Sequence, residues 1–202
     1  MNRVDFIVAY LRSFRSDVRG TVAIETAFMV PIMVWGYLSM FTYFDAFRQL
    51  TTQQKAAFTV SDLISRQATP LDAEFIDGAY SLFQNLSRIA GDPGIRVTVA
   101  KYNLAEEEYV VIWSRTRGKM TALQSLDIAN WSDRLPVMPQ DDQIIIVETT
   151  AAYKPVFNVG LQYDSINHFV FTRPRYAKQV CYIDVCDVPN PPVPEPSPEE
   201  SA

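Results

Sequence analysis

From Val22 to Phe44 the chain runs 23 residues with a single charge, Glu25. A helix of that length is roughly 35 Å long, enough to cross a hydrocarbon core with some tilt. A removable secretory signal would show an apolar stretch of about 7–15 residues ending at a small-x-small cleavage site. Here the stretch is longer and leads into bulky Phe41, Tyr43 and Phe44. It is also long for a buried core helix, so the pattern predicts a membrane span. Phe47, Leu50, Ala57, Val60 and Ile64 keep helical spacing beyond it, and neither Gly nor Pro occurs between Asp45 and Gln67. The pattern therefore predicts one helix over residues 21–67, roughly 70 Å long. Its second half should bury an apolar stripe on a folded domain.

The next element is signalled by Thr69-Pro70-Leu71-Asp72. A capping hydroxyl, a proline at the first helical position and an acid three residues after the cap predict a helix start at Pro70. Leu71, Phe75, Ala79, Leu82, Leu86 and Ile89 follow at helical spacing as the expected buried stripe, and Gly91, Pro93 and Gly94 stop it. Strand patterns come next. Ile95, Val97 and Val99 alternate with polar residues, Tyr109–Arg115 is β-rich, and Glu106, Glu107 and Glu108 fall in the turn of the resulting hairpin. Ile144–Tyr153 reads as a third strand and His168–Arg173 as a fourth, with room for a short helix within Thr121–Arg134. Helices followed by mostly adjacent strands predict an α+β domain with an antiparallel sheet. The expected organisation is a basic leader (1–20), the long helix (21–67), an α+β domain (68–186) and a Pro-rich acidic tail (187–202) unsuited to burying apolar surface.

Charge orients this arrangement. Residues 1–20 carry Arg3, Arg12, Arg15 and Arg19 against Asp5 and Asp17, a net of +2, whereas the remainder carries 14 basic and 21 acidic residues, a net of −7. Four arginines before the span place the N-terminus inside by the positive-inside rule, so the domain should be periplasmic or extracellular. No basic stripe with interleaved aromatics argues for nucleic acid. Cys181 and Cys186, at short spacing in an exported domain, read as one disulfide, with two free thiols as the alternative. His168 is the single histidine, which argues against a metal cluster or a catalytic triad. Gly118-Lys119-Met120-Thr121 lacks the upstream glycine and helix of a phosphate loop. Arg173-Pro174-Arg175 is either a strand-end turn or a basic spot for a partner. The sequence thus offers no enzyme site, cofactor or small-molecule substrate.

The segment with most functional content is Arg19-Gly20-Thr21-Val22-Ala23-Ile24-Glu25. A carboxylate in a span costs roughly 2.5–3.5 kcal/mol at the bilayer centre and less near the edge, so it suggests function by default. No Lys, Arg or His lies one helical turn away within the span.

A basic leader ending in glycine, an apolar helix starting at once and a lone glutamate five residues later resemble the type IV prepilin signal. The resemblance implies that a membrane-embedded prepilin peptidase cuts between Gly20 and Thr21. Glu25 would then pair with the new α-amino group, on its own or a neighbouring subunit. Within that class, Gly20-Thr-Val-Ala-Ile-Glu25-Thr-Ala-Phe-Met-Val-Pro31 looks like the TadE-like minor pseudopilins of the tight-adherence (Tad, or Flp) pilus system, over about residues 19–47. Val147–Pro155 is similar to that family's late strand followed by a proline. Thr26 stands where prepilin signals often carry an aromatic. Pro31 removes one backbone donor and leaves the Ala27 carbonyl without its usual partner, which spans tolerate. The resemblance implies an inner-membrane protein whose partners are other pilins and pseudopilins, the prepilin peptidase and the pilus assembly platform. The alternative is a membrane-tethered periplasmic binding or adaptor protein with a plain anchor helix.

Overall fold

The computed structural model describes residues 10, 12–15, 20–88, 92–128, 131–160 and 165–185. Contacts divide the chain into two compact units, residues 1–46 with 155–161, and residues 47–154 with 162–202.

The first unit is dominated by the start of helix α1 (Thr21–Ser65), which continues through Pro31 without interruption. Residues 22–37 are all exposed, and burial on the helix sets in only at Leu38. The apolar stretch is therefore not a core helix. It is a helix long and apolar enough to cross a membrane. Its hydroxyls do not break it, because Thr26 Oγ1 donates to the Val22 carbonyl and Thr42 Oγ1 to the Leu38 carbonyl, each one turn back. Residues 155–160 belong to the same unit, where the Phe157 ring meets Phe41 edge-on at 6.2 Å.

The second unit is an α+β domain, as the pattern of helices and strands predicts. It holds the rest of α1, helix α2 (Ala73–Ser87), strands β1 (Gly94–Asn103) and β2 (Glu108–Arg117), a one-turn helix α3 (Ser125–Ile128), a 3-10 turn (Trp131–Asp133), and strands β3 (Gln143–Ala152) and β4 (Ser165–Thr172). The sheet is antiparallel throughout, in the order β2-β1-β3-β4. A bulge sets Val99 opposite Trp113 but Ala100 opposite Val111, so Ile112 is the extra residue on β2.

Both faces of the sheet are covered, which explains why Ile144-Ile145-Ile146-Val147 is uniformly apolar rather than alternating. One face carries Val97, Val99, Trp113, Ile145, Val147 and Val170 against Ala56, Ala57, Val60 and Ile64 of α1 and Ile76, Ala79 and Phe83 of α2. The other carries Ala100, Tyr102, Tyr109, Ile144 and Ile146 under Ile128, Leu135 and Met138 from the irregular connection before β3. The second half of α1 thus buries Ala57, Val60 and Ile64 as expected, whereas Phe47 is exposed and Leu50 only half-buried, so the stripe begins about two turns later than the sequence pattern suggests.

Helix α2 departs from expectation at its start and in its stripe. Asp72, not Thr69, is the N-cap, and its carboxylate accepts from the Phe75 amide at 2.7 Å. Leu71 is held in extended form by Tyr182, giving its amide to the Cys181 carbonyl (2.8 Å) and accepting from the Ile183 amide (2.9 Å), so no helix can begin before it. With that start the buried residues are Ile76, Ala79, Phe83 and Ser87, while Phe75 and Leu82 are only partly covered and Leu86 is exposed. The helix stops at a left-handed Arg88 cap, ahead of Pro93. Gly94, expected to help stop it, instead opens β1, where a Cβ would crowd Met120 and Thr150. Ile89 and Gly91 lie outside the described residues.

Candidate functional site

The stretch from Gly20 to Ala46 carries the residues singled out by sequence. The α-helix begins at Thr21, directly after an exposed Gly20. A Cβ on Gly20 would meet nothing, and its φ is not one that demands glycine, so the local fold does not require that residue type. The same space surrounds Gly36 and Gly78, so openness alone does not mark Gly20. What sets it apart is its place at the start of the apolar helix. Glu25 follows on that helix, exposed among Val22, Ile24, Phe28 and Met29. Among the described residues it has no ion-pair partner. Pro31, Trp35, Tyr37 and Tyr43 are exposed on the same helix, Tyr43 near the far end of the apolar stretch.

In the α+β domain the other candidates fall into structural roles. Gly118 takes φ +71 and leaves no room for a side chain, because a Cβ would sit 2.0 Å from the Pro93 carbonyl oxygen. The Gly118-Lys119 pair is thus a tight turn leaving β2. Glu106 and Glu107 are exposed in the β1–β2 turn, Glu107 in a left-handed conformation, and Asn103 donates to Glu106 at 3.0 Å. Arg173 and Arg175 are each engaged within the domain, Arg173 with Asp142 at 2.6 Å and Arg175 with Asp62 at 3.2 Å. The Arg175 amide also donates to the Ser65 carbonyl at the end of α1. These ties make the Arg-Pro-Arg segment a strap, beside an open polar cleft of about 580 Å³ that also includes Gln140, Tyr176 and Lys178.

Cys181 is buried next to the Leu71–Tyr182 bridge. Cys186 lies outside the described residues, as do the acidic tail and most of the basic leader, so the expected disulfide falls beyond what the structure describes. His168 stands opposite Thr149 on β3, with its Nε2 buried. Burial lowers its pKa, and a hydrogen bond to the Leu50 backbone opposes that shift. Gln53 Oε1, Thr149 Oγ1 and His168 Nε2 are buried without a protein partner, the kind of set that ordered water satisfies. Among the described residues, no group of three or more His, Cys, Asp or Glu side chains is placed to hold a metal ion.

Two features escaped sequence reasoning. One is the Arg96–Glu148 ion pair across β1 and β3, 2.7 Å and nearly buried, with Arg96 also donating to the Thr121 carbonyl. The register that joins them is invisible until the strands are paired. The other is the apolar connection between β3 and β4, whose uncharged Pro155-Val156-Phe157 was a readable sign. Comparison with known proteins finds no matching family model, curated protein or solved structure.

Proposed function

We propose that this protein is a minor pseudopilin, an assembly component of a Tad-type pilus, held in the inner membrane by the first part of α1. The observation that carries the reading is the coincidence at the start of that helix. The α-helix begins at Thr21, the residue before it is an open glycine, and a carboxylate stands one turn further along a bare apolar surface. A plain anchor needs none of these together. A peptidase-processed pilin uses all of them: an accessible, unbranched residue at the cut, an intact helix beyond it, and an acid for the ammonium that the cut creates. That pair attracts far more strongly in a low-dielectric medium than in water.

In this reading the leader faces the cytoplasm, as its arginines favour, and the α+β domain lies in the periplasm and makes subunit contacts. The protein acts by assembly rather than by turnover of a substrate. N-terminal sequencing of the chain purified from its own host tests this. A mature protein beginning at Thr21 is expected. A chain beginning at Met1 or Asn2 would return α1 to a simple anchor and the domain to an adaptor role. Gly20→Leu should block processing while leaving membrane insertion and the folded domain unchanged, because the added side chain meets only open space.

A further inference from the structure

We infer that the connection between β3 and β4, residues 155–160, is a second membrane contact, its apolar tip inserting into the lipid leaflet on the side of the folded domain. The inference rests on α1 spanning a bilayer, as in the reading above.

A hydrocarbon core takes up about 20 helical residues. Counted from Val22, that length ends at Phe41. Counted from Glu25, it ends at Phe44, just before the next charge, Asp45. Either way, Phe41 to Phe44 lie where acyl chains give way to headgroups. At that level the chain comes back to the helix. Residues 155–160 pack in one unit with the start of α1, and the Phe157 ring contacts Phe41.

The returning segment is Pro155-Val156-Phe157-Asn158-Val159-Gly160, without a charge. Val156 is 65% exposed and Phe157 still 37% exposed after its contact with Phe41. Beside a soluble helix such side chains would be a liability. Beside the outer turns of a span they meet lipid, as does the exposed ring of Phe41 that Phe157 touches. Lys154, exposed at the base of the segment, has a stem long enough to carry its ammonium to lipid phosphates. The segment is not helical, and irregular backbone cannot satisfy its polar groups in hydrocarbon. Insertion is therefore shallow, limited to the Val156 and Phe157 side chains. The occupant of this surface is lipid at the headgroup–acyl boundary.

Tryptophan quenching by brominated phosphatidylcholine reads that depth on the full chain in vesicles. Trp35, in the middle of the span, reports the helix in the unsubstituted protein. Phe157→Trp in a Trp35→Phe background reports the loop, with Trp113 and Trp131 common to both. The Phe157→Trp indole should be quenched about twice as strongly by bromines near the headgroup as by bromines deep in the acyl chain. Trp35 should show the opposite preference. Val156→Trp gives an independent readout at a more exposed position, should the first variant misfold. If Trp35 is quenched and neither loop indole is, the loop inference is overturned and the span stands. If Trp35 is not quenched, the span fails and the loop inference with it.

Discussion

Arg96 and Glu148 illustrate how a single pair holds the middle of the sheet. Their side chains are only 15% and 13% exposed, and the guanidinium also serves the Thr121 carbonyl, which ties the irregular connection onto the strands. Removing one partner leaves the other charge unpaired where water reaches it only in part. Arg96→Ala should destabilise the domain by about 3 kcal/mol. The double variant Arg96→Met/Glu148→Leu should recover most of that loss in denaturant unfolding, because it leaves no orphan charge. His168 gives the domain a dependence on pH. Burial lowers its pKa in the folded state, so the unfolded chain binds the proton more readily. Stability from this residue is full above about pH 6.5 and falls as pH drops through that value. Thermal melts of the detergent-solubilised protein at about pH 7.5 and about pH 5.5, on either side of the ordinary histidine pKa, should show a drop that is smaller in His168→Gln.

Among the elements, α1 and the four strands were legible because their patterns are long. A 23-residue apolar run and β-branched stretches need no tertiary context to be read. Helix α2 was legible in existence but not in phase. Thr69-Pro70 has the chemistry of a helix start, yet Leu71 is claimed by Tyr182 from the other end of the domain, more than a hundred residues away. A long-range bridge of that kind leaves no local mark. The cap therefore moves to Asp72, and the buried stripe moves to Ile76, Ala79 and Phe83. Asp72→Ala should cost about 1 kcal/mol as a lost cap, whereas Thr69→Ala should leave unfolding unchanged. Equal effects would return the start to Thr69. The proposed processing motif rests on contiguous residues, Arg19 to Glu25, so it can be proposed without any tertiary context. The structural role of Gly118 was not legible for the converse reason, because the Pro93 carbonyl that leaves no room for a side chain there is distant in sequence.

For the whole molecule, the proposed role depends on charge inside the bilayer. Glu25→Gln keeps size and hydrogen bonding but removes the partner for a cleaved amine. In the native cell it should abolish fibre production while the protein remains processed and membrane-inserted. Undiminished fibres would leave Glu25 as an incidental residue near the headgroups. The comparison of Gly20→Leu with Glu25→Gln then separates processing from assembly, since only the first should retain the leader.

The double coverage of the sheet has a cost at an earlier stage of the protein's life. Ile144-Ile145-Ile146-Val147 is wholly shielded once folded, by helices on one side and the irregular connection on the other. Before folding, the same four residues form an uncharged, β-branched tetrad of the type that seeds intermolecular aggregation. The residues that bracket it, Asp141 and Asp142 on one side and Glu148 on the other, act as gatekeepers. A chain emerging unfolded would rely on those acids, or on a chaperone, until the helices and the irregular connection close over the two faces of the tetrad.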